Sequence, residues 1–331
     1  MQIKEESRME KIIGIHAPFL EDQHKKRIEE TAAATGCRVR YFSDPADAAA
    51  RCDDCEILYG IFPPEALRRA EALRWYACSW AGVDTMLEDS LYAHPENLVL
   101  TNSSGSYGVT ISEAIIMMIL MLFRQMPQYT ELTSRRGWEN LGEMRTIYGS
   151  VFAVIGTGDI GSNLGSRLRS LGAASVRGIR RSHKFRNRAF TEMYCISDLP
   201  RALKGIDVLV LCVPATPETE PLLTREIIDS LDPHVMIVNV GRGTAIDQEA
   251  LIDALNEGRL AGAALDVTDP EPLPPDHPLW TAKNVLITPH VSGQMSAPIT
   301  RDLNVNTFCF NLKAYCEGRP LIHVVDRHVG Y

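Results

Sequence analysis

The 331-residue sequence is short of positive charge, of aromatic residues and of long apolar runs, and each shortage excludes a class of function. Its 34 lysines and arginines are outnumbered by 42 aspartates and glutamates, for a net charge of −8 and a pI near 5.6. A protein whose main task is to neutralise nucleic-acid phosphates has the opposite balance, so no nucleic-acid partner is expected, although a local basic cluster can still hold a small anion. Aromatics make up only 7% of the chain beside 45% hydrophobic and 23% charged residues, which are ordinary soluble proportions. The longest apolar run, AIIMMILMLF at residues 114–123, has about half of the ~20 residues needed to span a bilayer. It reads as a buried helix, and no membrane partner is expected. Residues 1–11, MQIKEESRMEK, alternate charges and lack the apolar core of a signal peptide, so the cytoplasm is the default compartment. The eight cysteines are scattered and form no disulfide framework. Cys52 and Cys55 make a lone CxxC with neither a second pair nor histidines at ligand spacing, so it reads as two small residues in a helix or turn and no metal is expected. No repeat of solenoid period is present.

What is there is an alternation of short β-rich runs with helical patterns, the rhythm of parallel strands joined by crossover helices. KIIGIHAPF, CRVRYF, EILYGIF, LRWYACSW and LVLTNSS form a first series, with a charged segment at residues 21–35. A long helix is expected over residues 109–124, followed by a polar segment rich in Arg and Gly up to Gly149, where the chain passes between domains. A second series begins at Val151 with VFAVIG, SVRGI, DVLVLCVP, VMIVNVG, GAALDV and NVLITPH. One of its helices runs from an Asp247 cap to a Gly258 stop. A last helix carries Val305, Phe308, Leu312 and Tyr315 on one face and ends at Gly318 before Pro320. Its tail is expected to return to the first domain, which is then built from both chain ends. The boundaries read 1–103 with 296–331, and 104–295.

VFAVIGTGDIGSNLG sets Gly156, Gly158 and Gly161 in G-x-G-x-x-G spacing between a strand and a helix striped by Ile160, Leu164, Leu168 and Leu171. The first glycine permits the tight turn, the second lets a pyrophosphate approach the backbone, and the third lets helix lie on strand, with the anion at the helix N-terminus. Asp159 is electrostatically awkward there unless its carboxylate turns away while its N–H binds. About 20 residues on, an acidic residue would bind the ribose hydroxyls of NAD. Here stand Arg180, Arg181 and Ser182. A guanidinium cannot accept those bonds but pairs bidentately with phosphate, so the fitting ligand is the 2′-phosphate of NADP. Dual use with NAD(H) stays open, and the bland alternative is a solvated basic loop, since RRSHKFRNR remains basic to Arg188.

Further signals begin at or beyond predicted strand ends, where open α/β sheets bind ligands: NVGRG (Asn239, Val240, Gly241, Arg242, Gly243), Asp266, Glu271 in EPLP, and His290 in TPH. Together with SWAGVD at residues 79–84 and the ending NLKAYCEGRPLIHVVDRHVGY, they make the chain resemble the D-isomer-specific 2-hydroxyacid dehydrogenases over nearly its full length. The separations of 29 residues from Arg242 to Glu271 and 19 from Glu271 to His290 look most like the glyoxylate and hydroxypyruvate reductase branch. The fold implied is α/β with two domains, a doubly wound parallel sheet (Rossmann) coenzyme domain inserted in a flavodoxin-like substrate domain.

The resemblance assigns roles that also make chemical sense. Arg242 holds the substrate carboxylate and polarises the ketone. His290 gives or takes the proton, and Glu271 fixes its tautomer. Ala81 and Gly82 offer backbone N–H groups to the carboxylate. Asp266 is placed near the nicotinamide carboxamide, Val213, Val240, Gly241 and Gly293 at cofactor-contact positions, and Thr110 at the nicotinamide side. Trp80, Trp138 and Trp280 either shape a pocket for a bulky keto acid or serve packing. Glutamate at 271 sets aside the related formate dehydrogenases, which place glutamine there. The expectation is an NADP(H)-preferring 2-ketoacid reductase working in a cleft that closes between two domains, as a homodimer through residues 110–149, with NAD dependence as the alternative. A nucleotide-sensing corepressor like the C-terminal-binding proteins is the rival from another class; a basic or disordered extension would favour it, and the chain is read as ending cleanly at Tyr331.

Overall fold

Short apolar runs bounded by turns become parallel strands covered on both faces. The computed structural model describes residues 10–182 and 186–330; the charged opening stretch up to residue 9, residues 183–185 of the basic sequence RRSHKFRNR, and Tyr331 lie outside the described residues. Strands β1 (Lys11–His16), β2 (Cys37–Tyr41), β3 (Ile57–Gly60), β4 (Trp75–Cys78) and β5 (Val99–Thr101) form one parallel sheet in the order β2-β1-β3-β4-β5, the flavodoxin-like order. All residues of β3 and β4 are buried, which is why these runs lack in-out alternation. Helices α1 (Asp22–Ala34), α2 (Pro45–Arg51) and α3 (Pro64–Arg69) make the crossovers. Asp44 caps α2 by accepting the Asp47 N–H at 2.9 Å, with Pro45 in the first turn. Cys52 and Cys55 sit just beyond α2 in the core. Burial pushes the Cys55 thiol up to about 12.

The second sheet contains β6 (Val151–Ile155), β7 (Ser175–Arg180), β8 (Glu192–Cys195), β9 (Val208–Leu211), β10 (Met236–Asn239), β11 (Gly262–Leu265) and β12 (Val285–Ile287). Their order is β12-β11-β10-β9-β6-β7-β8, and the paired strands run parallel. The chain winds outward from β6 to β8, then starts again at β9 on the other side. The resulting switch point lies between the carboxyl ends of β6 and β9, where doubly wound sheets take their ligands. Helices α4 (Gly108–Phe123), α5 (Met126–Ser134), α6 (Asp159–Ser170), α7 (Leu199–Ala202), α8 (Arg225–Asp229) and α9 (Gln248–Asn256) accompany it. Asp247 caps α9 through the Ala250 N–H at 2.9 Å, and Gly258 follows with φ of 74°.

The last helix, α10 (Pro298–Cys316), belongs to the first unit. Val305, Phe308 and Leu312 join Ile13, Ile57 and Trp75 in one apolar cluster, and the Phe308 ring stacks on Tyr59 with centroids 4.0 Å apart. The chain thus divides into residues 1–106 with 295–331, and residues 107–294.

Three local expectations are corrected. The segment following residue 124, taken as polar connection, contains α5. Apolar α4 is buried along Ile111, Ile115, Met118 and Leu122, but Met117 and Leu120 stand in solvent. Leu171, counted in the α6 stripe, is exposed because the helix ends one residue earlier. Among the described residues no single helix is long and apolar enough to cross a membrane.

Candidate active site

The three loop glycines do three different things. Gly156 has φ of 96°, and a Cβ there would stand 2.4 Å from the Cys212 carbonyl oxygen. A Cβ on Gly161 would meet the Gly156 carbonyl at 2.0 Å. Gly158, by contrast, faces open space and precedes the first turn of α6. Free backbone approach at Gly158 and the adjacent helix N-terminus suit a pyrophosphate. Gly161→Ala is therefore expected to destabilise the protein by about 1–3 kcal/mol or more through overpacking, whereas Gly158→Ala should keep its melting temperature and lose nucleotide affinity. Thermal melts beside a nucleotide titration separate the two.

Asp159 does turn away from this loop. Its carboxylate accepts the Gly108 N–H at 2.7 Å and the Asn163 side-chain amide at 2.9 Å, so it caps the start of α4 and leaves the α6 N-terminus to its own amides. Ile160 is half-buried in the same turn. Arg180 ends β7 one residue after Ile179, whose carbonyl accepts the Gly156 N–H at 3.0 Å. That bond brings the β7 end beside the glycine loop, with Arg181 and Ser182 exposed just beyond. Asn187, missed in the sequence, ties the basic loop back: its amide donates to Ser162 Oγ at 2.7 Å.

On the other side of the switch point, strand ends are laced together by backbone bonds. The Asp266 N–H donates to the Asn239 carbonyl at 2.9 Å, and the His290 N–H to the Asp266 carbonyl at 2.8 Å. Asn239 also braces its own turn, donating to the Arg242 carbonyl at 2.8 Å and accepting the Gly241 N–H at 3.0 Å. Arg242 is half-buried, and its guanidinium donates to the Gly241 carbonyl at 2.8 Å. Gly243 must be glycine because a Cβ would lie 2.0 Å from the Thr268 carbonyl. Gly241 also approaches Val213 closely, its missing Cβ 2.5 Å from that carbonyl. Val240 is buried.

His290 and Glu271 meet. Nδ1 of His290 lies 2.9 Å from Glu271 Oε2, while the other carboxylate oxygen accepts the Thr268 N–H at 3.0 Å. An anchored carboxylate on Nδ1 places the proton there and leaves Nε2 for chemistry. His290 has φ of 54°, uncommon for a residue with a Cβ. The surrounding segment is held by Asp266, which is buried. Its carboxylate accepts the Thr288 hydroxyl at 2.6 Å, the Val291 N–H at 2.9 Å, the Ser292 N–H at 3.1 Å and the Ser292 hydroxyl. A bond from Asp266 to a carboxamide would compete with these donors. Thr288 and Ser292 were not singled out by sequence, since nothing local marks them as partners of a residue more than twenty positions earlier.

Gly293 lies against α4, its missing Cβ 2.8 Å from Ile111 Cδ1, and Thr110 occupies the first turn of that helix with its hydroxyl on the Tyr107 carbonyl at 3.3 Å. In the first unit, Ala81 and Gly82 follow β4 in a half-exposed loop. Asn102, Ser103 and Asn304 hold that loop, and none was expected: Asn102 donates to the Ala81 carbonyl at 2.9 Å, and Asn304 to the Ser79 carbonyl at 2.9 Å. Trp80 and Trp280 are half-exposed, and Trp138 is 97% exposed, so it serves no core.

Residues 116–292 match the family described as D-isomer specific 2-hydroxyacid dehydrogenase, NAD binding domain. The chain is 30% identical to glyoxylate/hydroxypyruvate reductase A of Enterobacter sp. (strain 638) over 91% of its length and 94% of that protein's. Among solved structures it is similar to a D-isomer specific 2-hydroxyacid dehydrogenase family protein of Aeromonas salmonicida, with a TM-score of 0.84 and 30% identity over 96% of this chain and 99% of the other. An NADPH-dependent glyoxylate/hydroxypyruvate reductase of Sinorhizobium meliloti, solved with NADP and sulfate, gives a TM-score of 0.79 at 26% identity, covering 97% and 100%.

Proposed function

Since the chain belongs to the D-isomer specific 2-hydroxyacid dehydrogenase family, as an oxidoreductase of 2-hydroxy and 2-keto acids, we propose that it works as an NADP(H)-preferring 2-ketoacid reductase. The observation that carries the proposal is the Glu271–His290 pair on the same strand-end edge as Arg242. When bound, the nicotinamide supplies the hydride. Gly156, Gly158, Gly161 and the N–H groups of Asp159 and Ile160 would hold its pyrophosphate, and Val213, Val240, Gly241, Thr110, Asp266 and Gly293 would border the nucleotide. Arg242 binds carboxylate and ketone oxygen, His290 delivers the proton from Nε2, and Glu271 stabilises the protonated ring from the far side. Ala81 and Gly82 give their N–H groups to the substrate carboxylate. An assay of glyoxylate, hydroxypyruvate, pyruvate, phenylpyruvate and branched-chain keto acids with NADPH and with NADH tests the reading; turnover of none of them overturns it.

NADP preference rests on Arg180, Arg181 and Ser182 standing where an acidic residue would serve NAD, and is supported by the NADP bound to the Sinorhizobium relative. Losing charge-assisted bonds worth about 1.5–3 kcal/mol, Arg180→Asp should lower kcat/KM for NADPH by about 10- to 100-fold and leave NADH nearly unchanged. An unchanged cofactor ratio places the phosphate elsewhere.

The exposed Met117, Leu120, Met126 and Met144 on and beside α4 and α5 support a homodimer through this face. Met117→Glu with Leu120→Glu should shift sedimentation from dimer to monomer; a wild-type monomer refutes the assignment. The eight free cysteines accord with a reducing compartment such as the cytoplasm.

A further inference from the structure

Four successive carbonyls after the centre of β4 are each tied down from one side. Cys78 accepts the Ser103 hydroxyl at 3.0 Å, Ser79 the Asn304 amide at 2.9 Å, Trp80 the Ser103 N–H at 3.0 Å, and Ala81 the Asn102 amide at 2.9 Å. Because a trans peptide is planar, each carbonyl points opposite to the N–H of the following residue. Anchoring the Trp80 and Ala81 carbonyls therefore turns the Ala81 and Gly82 N–H groups away from the anchors. Among the described residues neither of these two N–H groups has a hydrogen-bond partner.

The anchors are themselves hydrogen-bonded. Asn304, 1% exposed, donates to Ser79 and to Ser103 Oγ at 2.7 Å while its own oxygen accepts the Tyr59 hydroxyl at 2.6 Å. Asn102 similarly accepts the Ser104 N–H at 3.1 Å. Val305 and Phe308 beside Asn304 pack in an apolar cluster, so its amide holds the Ser79 carbonyl and the Tyr59 hydroxyl where water cannot replace it. We propose that Asn102, Ser103 and Asn304 are positioning residues that hold the Ala81 and Gly82 N–H pair as a preformed receptor for the substrate's carboxylate. This rests on the reductase reading given above and extends it: the C-terminal helix α10 contributes to substrate affinity through Asn304 without touching substrate.

The test compares wild type with Asn102→Ala, Asn304→Ala, Ser103→Ala and Ser103→Thr, all as full chains. Oxalate binding is measured by calorimetry at saturating NADP⁺, beside steady-state reduction of the best 2-keto acid and of its methyl ester. Loss of one anchoring bond should raise the oxalate Kd and the keto-acid KM together by about 5- to 30-fold. The kcat, the NADPH KM and the already poor ester reaction should hold, as expected when binding shared by ground and transition states is lost. Ser103→Thr, which keeps the hydroxyl, should recover most of the affinity lost in Ser103→Ala. If Asn304→Ala fails to fold, Asn102→Ala decides. Unchanged oxalate affinity in folded Asn102→Ala, equal losses for acid and ester, or no oxalate binding by wild type each overturns the inference. Wild type that binds oxalate, loses it in Asn102→Ala, yet reduces no keto acid refutes the reductase reading while the receptor stands.

Discussion

Replacing His290 by alanine is expected to lower kcat by about 10²- to 10⁴-fold, the usual worth of a positioned general acid, while NADPH binds as in wild type. The expectation follows from the ring's surroundings. Nδ1 is engaged by Glu271, 2.9 Å away, and that carboxylate is itself fixed by the Thr268 N–H. With Nδ1 engaged, Nε2 is the ring nitrogen left for the proposed proton transfer. Glu271→Gln is expected to be milder, because a glutamine can still accept from Nδ1 but brings no negative charge to the protonated ring. Single-turnover hydride transfer with a fluorescence titration of NADPH separates chemistry from binding. Normal turnover in His290→Ala would remove the proton-transfer role; a parallel loss of nucleotide affinity would recast the residue as a structural support of its loop.

Arg242→Ala should lower kcat/KM for the keto acid by about 10²- to 10³-fold, the scale of losing a donor aimed at developing oxyanion charge. Arg242→Lys should recover only part of this, since an ammonium lacks the planar fork that engages two oxygens at once. The backbone around the site should survive both changes: Asn239 holds the Arg242 carbonyl and the Gly241 N–H without help from the guanidinium. Melting temperature and NADPH affinity are the controls. A variant with intact keto-acid kinetics would assign Arg242 to the surface ion-pairing of an ordinary arginine.

Much of this fold can be read from the chain because a parallel sheet buried on both faces leaves uninterrupted apolar runs, and each run such as VFAVI or VLVL becomes a strand. Strand β8 escapes that rule. EMYC is an edge strand with only Cys195 buried, too short and too little buried to show the β-branched apolar run of the inner strands. Helix α5 escapes because its start carries Pro127 and its body two threonines, a pattern as suited to a loop as to a helix. In the site, glycines and the strand-end motif residues are legible since their spacing follows from local turns. Partners brought together only by tertiary folding are not: Thr288 and Ser292 on Asp266, and Asn304 on Ser79, lie 22 to 225 residues apart in sequence. Asp159 shows the intermediate case. Its charge could be seen to require an outlet away from phosphate, and the Gly108 N–H that provides it could be found only in the structure.

The first unit is closed by α10, which arrives after all of residues 107–294 have been made. On the ribosome the nucleotide-binding unit can therefore mature while its companion waits, with the cluster around Ile13, Ile57 and Trp75 incomplete until Val305, Phe308 and Leu312 emerge. A chain stalled or clipped short of residue 298 would leave a finished coenzyme module beside a sticky, half-built one, a substrate for chaperones and proteases.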